Sequence, residues 1–249
     1  MVFSEEYKVT SFMVNLRGRA GLYTILNLVQ DIGWQHAMKM GVQLPKGQGW
    51  VFTRQKLVMT DWPKYKDNVT LRTWLREPGG NPFLLRDYEI FVGDRKLGEC
   101  TSTFTVFDTT TRKMVAGDWS RFPSVWQTEG TLPHVPGKIA IATDTEDLAQ
   151  FEVRNSDIDL NNHVNNTRYA QWVLDAIPIE ILRQGAHLVG YEVNFLSEMK
   201  IGDVVHLQKA KAEESDGDRQ RIQFQGTRAA DGKVAFTAVL TTLPESPTV

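Results

Sequence analysis

Asp203-Val204-Val205-His206-Leu207 repeats, 136 positions later, the run Asp67-Asn68-Val69-Thr70-Leu71. Both segments begin with aspartate and then alternate apolar with polar or β-branched residues, as a half-buried strand does. Lys233-Val234 repeats Lys96-Leu97 at an offset of 137, and the starts of the two halves align at an offset of 144. The Gly- and Pro-containing segment Gly41–Gly49 lengthens the first half and accounts for the difference. Three matches in one order, with one loop explaining the discrepancy, indicate an internal duplication.

Outward from these runs, each half has the same plan. A short alternating segment comes first, Tyr7–Val14 and Phe151–Arg154. A helix-period segment follows. Leu22, Ile25, Val29, Ile32 and Met40 line one helix face, and Tyr169, Trp172, Val173 and Ala176 do so before Pro178 stops the run. Strand-like runs then follow at Val51–Met59, Asn68–Leu75, Phe83–Val92 and Glu99–Phe107, and at Leu188–Phe195, Val204–Ala210, Arg221–Thr227 and Val234–Leu243. Gly93-Asp94, Ser215-Asp216-Gly217 and Asp231-Gly232 mark hairpin turns. The expectation is an α+β fold of two tandem domains, 1–117 and 148–249, each a long helix covered by an antiparallel sheet. Two such domains can sit as an internal pseudo-dimer with their sheets joined edge to edge, which protects the inner edges. Residues 118–147, with three prolines and no periodicity, are the expected linker; Trp119, Phe122 and Trp126 suit packing along the surface.

Composition narrows the function classes. A net charge of −2 and a pI near 6.2 give no global field for nucleic acid. The single cysteine, Cys100, rules out an internal disulfide and a cysteine zinc cluster, and no metal or cofactor is called for. The opening MVFSEEYKVT reads as neither a secretory signal nor a transit peptide, and no stretch is apolar enough to span a membrane. A cytoplasmic, reducing setting is the expectation.

One segment is chemically unlike the rest: Asp157-Ile-Asp159-Leu-Asn161-Asn162-His163-Val-Asn165-Asn166-Thr-Arg168-Tyr169. It crowds two carboxylates, four amides and an imidazole between a strand and a helix. Helix capping accounts for Asn165 or Asn166 but leaves the alternation Asp159, Asn161, His163 unexplained. A loop-to-helix junction also presents unpaired N–H groups and the positive end of the helix dipole, suited to an oxyanion.

This run, followed by Trp172, resembles the signature of the plant and bacterial acyl–acyl-carrier-protein (acyl-ACP) thioesterases, whose tandem domains are of the hot-dog type, a sheet wrapped around a long helix. The domain order, helix placement and linker agree over almost the whole chain. The resemblance places Asp159, Asn161 and His163 on the family's Asp–Asn–His positions and, counting back from Gly202-Asp203, Glu198 on a further family carboxylate. Where the family often has a cysteine after that glutamate, this chain has Met199, a thioether with no ionisable proton. Cys100 lies in the other half and reads as a small buried residue. Water is therefore the expected nucleophile, oriented and deprotonated by Glu198, Asp159 or both. Asn161 and His163 hold the water and carbonyl, and N–H groups near Asn165 and Asn166 stabilise the oxyanion.

At the 144 offset the first half sets Asn15, Arg17 and Arg19 against Asp159, Asn161 and His163. None of these keeps the base chemistry, so one active site is expected. The degenerate half, rich in large apolar side chains, is the expected acyl pocket, as the resemblance also implies. The implied partner, acyl carrier protein, is acidic; Arg17, Arg19, Arg154 and Arg168 near the helix starts are candidates for a basic rim. A homodimer is compatible with the sequence. A hot-dog acyl-CoA thioesterase and a non-catalytic acyl-binding protein are the competing readings.

Overall fold

Gly21 and Asn165 stand as N-caps of the two helices that the periodicity predicts. In the computed structural model these are α1, Leu22–Met40, and α2, Asn166–Asp175. The structure describes residues 1–41, 44–77, 83–111, 113–115, 126–160, 162–183, 187–212 and 214–244. The chain divides into two compact units, Met1–Gly137 and Lys138–Val249.

In the first unit the strands are β1 (Phe3–Lys8), β2 (Gln48–Met59), β3 (Asn68–Arg76), β4 (Leu84–Val92) and β5 (Arg95–Asp108), with two short pieces, β6 (Met114–Val115) and β7 (Trp126–Gln127). The five longer strands pair antiparallel in the order β1-β3-β4-β5-β2. The second unit has β8 (Thr145–Glu152), β9 (His187–Phe195), β10 (Val204–Ala210), β11 (Glu214–Asp216), β12 (Arg219–Arg228) and β13 (Val234–Leu243). Its main strands run β8-β10-β12-β13-β9, the same order element for element. The α+β architecture expected from the sequence is present in both units.

The duplication is visible in individual backbone hydrogen bonds. Bridges join Val14 to Ala20 and Ile158 to Val164, each pair 144 residues from its counterpart. Asn15 N–H donates to Arg19 O at 2.8 Å, and Asp159 N–H to His163 O at 2.9 Å. Gly18 (φ 68°) and Asn162 (φ 60°) occupy the same left-handed turn position, which asparagine tolerates at modest cost. Lys64 N–H and Lys200 N–H donate to the carboxylates of Asp67 and Asp203, so the repeated aspartates close equivalent turns ahead of β3 and β10.

Three expectations shift. The opening strand is β1, Phe3–Lys8, earlier than Tyr7–Val14; beyond it Ser11–Met13 forms a 3₁₀ turn. Strand β8 begins at Thr145, within the stretch expected to be linker. Its mostly exposed acidic residues give no apolar alternation to read. Pro178 ends α2 as expected but then starts a short helix, α3 (Ile179–Arg183), because proline suits a first turn. Trp119 and Phe122 lie outside the described residues. Trp126 sits in β7, paired parallel with β3. Further on, Ile139 and Ala142 N–H groups donate to the side-chain oxygens of Asn194 and Gln225, fixing this segment to the second unit's sheet.

Packing follows from the apolar faces. In the first unit Leu22, Ile25, Leu26, Val29 and Ile32 of α1 are fully buried. Gly33 allows the helix backbone close to β4: a Cβ there would meet the Tyr88 hydroxyl at 2.9 Å. One turn on, His36 is buried, stacks on Phe3 at 5.5 Å and takes a hydrogen bond at Nδ1 from Arg86 Nη1 at 2.8 Å. In the second unit Tyr169 meets Trp172, Phe195 and Phe236 edge-on at 5.2, 5.3 and 4.9 Å, favourable aromatic geometry worth about 0.5–1.5 kcal/mol per pair beyond area burial.

Burial, reinforced by Arg86, lowers the His36 pKa from 6.5 to about 4. The unfolded chain then takes up a proton that the folded protein excludes. The stabilisation is fully present above pH 6.5 and is lost as pH falls toward 4, amounting to up to about 3 kcal/mol. Urea unfolding across this range should show His36→Gln, which keeps an acceptor for Arg86, losing less stability than the parent; parallel pH curves would contradict the assignment.

Candidate active site

The polar segment between β8 and α2 is a tight loop stitched at both ends. Asp157 closes the 3₁₀ turn Asn155–Asp157 by accepting from Arg154 N–H at 2.9 Å. The Ile158–Val164 bridge then pinches the loop, and Val164 N–H donates to Met199 O at 3.0 Å. That last bond lays the loop against the connection between β9 and β10, which carries Glu198. Sequence proximity would not reveal this contact, since the two partners are separated by α2, α3 and β9.

The carboxylate of Glu198 thereby reaches the imidazole. Glu198 Oε2 lies 3.3 Å from His163 Nε2, with both side chains about one-third exposed at 35% and 30%. Asp159 is joined to the same histidine through the main chain: its N–H donates to His163 O, and its Oδ1 accepts from His163 N–H at 3.4 Å. Asp159, His163 and Glu198 are thus brought together. Asn161 lies outside the described residues.

The helix start is used only in part as expected. Asn165 caps α2, its Oδ1 accepting from Thr167 N–H and Thr167 Oγ1, each at 3.0 Å. Its own N–H is committed to Asp157 O at 2.8 Å, which withdraws it from the expected oxyanion donors. No described residue accepts from the N–H of Asn166, the first residue of the helix.

The four candidate rim arginines divide. Arg168 is internally bound, to Ser156 O at 2.7 Å, to Gln171 and to Asp157. Arg19 donates from Nη1 to Asp61 at 3.1 Å and to Trp62 O at 2.7 Å. Both guanidiniums hold their own loops, so their cationic charge is largely answered locally. Arg17 and Arg154 are exposed.

The two halves show how one site arises from two copies. His163 faces Glu198 in the second unit; the matching position 19 of the first unit carries an arginine paired with Asp61. Cys100 is fully buried in β5, and burial pushes its thiol pKa well up, so it holds no reactive thiolate. Met199 is likewise fully buried. Among the described residues no group of three or more His, Cys, Asp or Glu side chains could hold a metal ion, and no helix is long and apolar enough to cross a membrane. Sequence reasoning passed over Arg228, whose Nη1 donates to Glu198 O at 2.7 Å; an arginine at a strand end gives no signal until the fold brings β12 beside the β9–β10 connection.

Comparison with known proteins bears on both units. Residues 1–117 match the acyl-ACP thioesterase N-terminal domain and residues 141–238 the acyl-ACP thioesterase C-terminal domain. A chloroplastic acyl-[acyl-carrier-protein] hydrolase of Cuphea viscosissima is 23% identical over 248 residues, covering 89% of this chain and 58% of that protein. The chain spans about half the length of the curated relatives it matches. An acyl-ACP thioesterase from Bacteroides thetaiotaomicron superposes with a TM-score of 0.83 at 20% identity, covering 97% of both chains. The 12:0-ACP thioesterase from Umbellularia californica does so with a TM-score of 0.83 at 19% identity, covering 98% of both. These likenesses establish the tandem hot-dog fold. With both of its domains matched in order, the chain belongs to the acyl-ACP thioesterase family.

Proposed function

We propose that the chain hydrolyses fatty-acyl thioesters carried on acyl carrier protein, releasing free fatty acid and the carrier's thiol. The observation that carries this reading is the 3.3 Å approach of Glu198 to His163, on a loop that also fixes Asp159 and opens onto a helix N-terminus. The chemistry balances without a cofactor. Water attacks the acyl carbonyl while a carboxylate takes one of its protons; the tetrahedral intermediate collapses with breakage of the C–S bond, and the departing sulfur receives a proton. Glu198 and Asp159 are the two bases, with His163 orienting the water and relaying the proton. Asn161 completes the cluster by family resemblance, and the Asn166 N–H at the helix start faces the developing oxyanion.

The first unit is assigned no base, since Arg19 stands in the place of His163 and Trp62 in that of Glu198, and the family resemblance assigns it the accommodation of the acyl chain. A reducing compartment suits a chain whose one cysteine is buried and unpaired.

Asp159→Asn and Glu198→Gln should each lower kcat by about 10²–10⁴-fold while leaving thermal unfolding within a few degrees. Near-normal turnover in both would remove the carboxylate mechanism. Cys100→Ala should retain turnover within about twofold, because a buried, protonated thiol takes no part; a loss as large as that of Glu198→Gln would restore covalent cysteine chemistry. Release of free fatty acid should be measured on matched acyl–carrier-protein and acyl-CoA series. Preference for the carrier-protein series is the expected result; preference for CoA would keep the chemistry and change the carrier, and no release from either would leave an acyl-binding protein.

A further inference from the structure

We infer that Arg228 is the positioning residue for Glu198, and that its placement on a strand is what allows position 163 to be a histidine. This rests on the hydrolytic reading above. Arg228 is the last residue of β12, with its side chain 17% exposed. Its guanidinium is divided between two tasks. Nε and Nη2 form a two-pronged pair with Asp231, at 2.9 and 2.8 Å, in the fork geometry that suits a carboxylate. That pair fixes the plane and turns Nη1 the other way, where it donates to the backbone carbonyl of Glu198 at 2.7 Å, with Asp203 Oδ2 3.9 Å off.

Among the described residues, several backbone anchors of this connection lie on either side of Glu198. Leu196 and Ser197 N–H groups both donate to Ala235 O, Met199 O accepts from Val164, and Lys200 N–H donates to Asp203. Arg228 supplies a tie at the main chain of residue 198 itself. A carbonyl held in place fixes the peptide plane from which the side chain departs, and hence the direction in which the carboxylate approaches His163.

The first unit gives the comparison. There Trp62 O occupies the place of Glu198 O, and it too accepts from a guanidinium nitrogen at 2.7 Å. The donor is Arg19, which stands in the loop position that His163 occupies in the second unit. The matching strand end, Phe91-Val92, is apolar. The same carbonyl is therefore tied by a cation in both units, from the loop in one and from the strand in the other. With the cation on the strand, the loop position opposite residue 198 is available for an imidazole.

The test uses the full chain with Arg228→Met and Arg228→Lys. Arg228→Met should lower kcat roughly 10- to 100-fold with KM within about twofold, the size expected when a reacting group is displaced by about 1 Å. Arg228→Lys, which keeps one charged donor, should recover most of that loss. Asp231→Asn, which loosens the guanidinium without removing it, should fall between and serves if Arg228→Met does not fold. The His163 ring signals in ¹H–¹⁵N spectra, which need no turnover, should move in Arg228→Met. Parental kcat in Arg228→Met, no recovery by Arg228→Lys, or unmoved His163 signals would overturn the inference. Absence of hydrolysis in the parent chain with moved His163 signals would instead overturn the hydrolytic reading and keep the positioning role.

Discussion

The site depends on one backbone hydrogen bond, from Val164 N–H to Met199 O. The Val153–Asp203 and Gly202–Val153 bonds join the polar loop and the Glu198 connection at the base of the loop, and the Val164–Met199 bond carries the contact up to Met199, beside the carboxylate that meets the imidazole. The bond is inherited from the repeat: Ala20 N–H donates to Pro63 O at 2.8 Å in the first unit. It is indifferent to side-chain identity, since a proline carbonyl serves as well as a methionine carbonyl. The backbone frame is thus common to both units, and the chemistry is decided by which side chains stand on it.

That division explains what was legible. The repeat, helix α1 and the long strands were readable because apolar periodicity is strong where a face is buried, as along Ile25, Val29 and Ile32. Asp159 and His163 stood out because capping alone could not account for them. Glu198 was reached only through the family resemblance; locally it is an acid between Ser197 and Met199 with no pattern of its own. Strand β8 was cut short in the reading because its acidic, exposed residues carry no alternation. Arg228, and the commitment of the Asn165 N–H to Asp157, depend on contacts distant in sequence or on backbone direction, which residue types do not encode.

Electrostatics divide the two units as clearly as geometry does. In the first, Asp61 is met by both Arg19 and Arg95; partial burial works to raise its pKa, but the Trp62 N–H and the two guanidiniums outweigh it and hold the carboxyl below its ordinary range. Such a carboxylate is a poor proton acceptor. In the second unit the guanidinium pairs with Asp231, whose pKa is strongly lowered, and donates to the main-chain carbonyl of Glu198. The side chain of Glu198 meets a histidine, a partner that can exchange a proton, where the guanidiniums that meet Asp61 cannot.

The segment Ile139–Ala142 crosses the second unit's sheet on amide side chains. Asn194 and Gln225, both buried, and Gln223 meet its backbone N–H and C=O groups. Glutamine and asparagine present a donor and an acceptor on one planar group, so they imitate a neighbouring peptide without committing a strand edge. The residues of this crossing are read through their main chain. Their side chains can drift widely in composition over evolutionary time, while a proline at 139 or 142 would remove a donor that a buried amide oxygen requires.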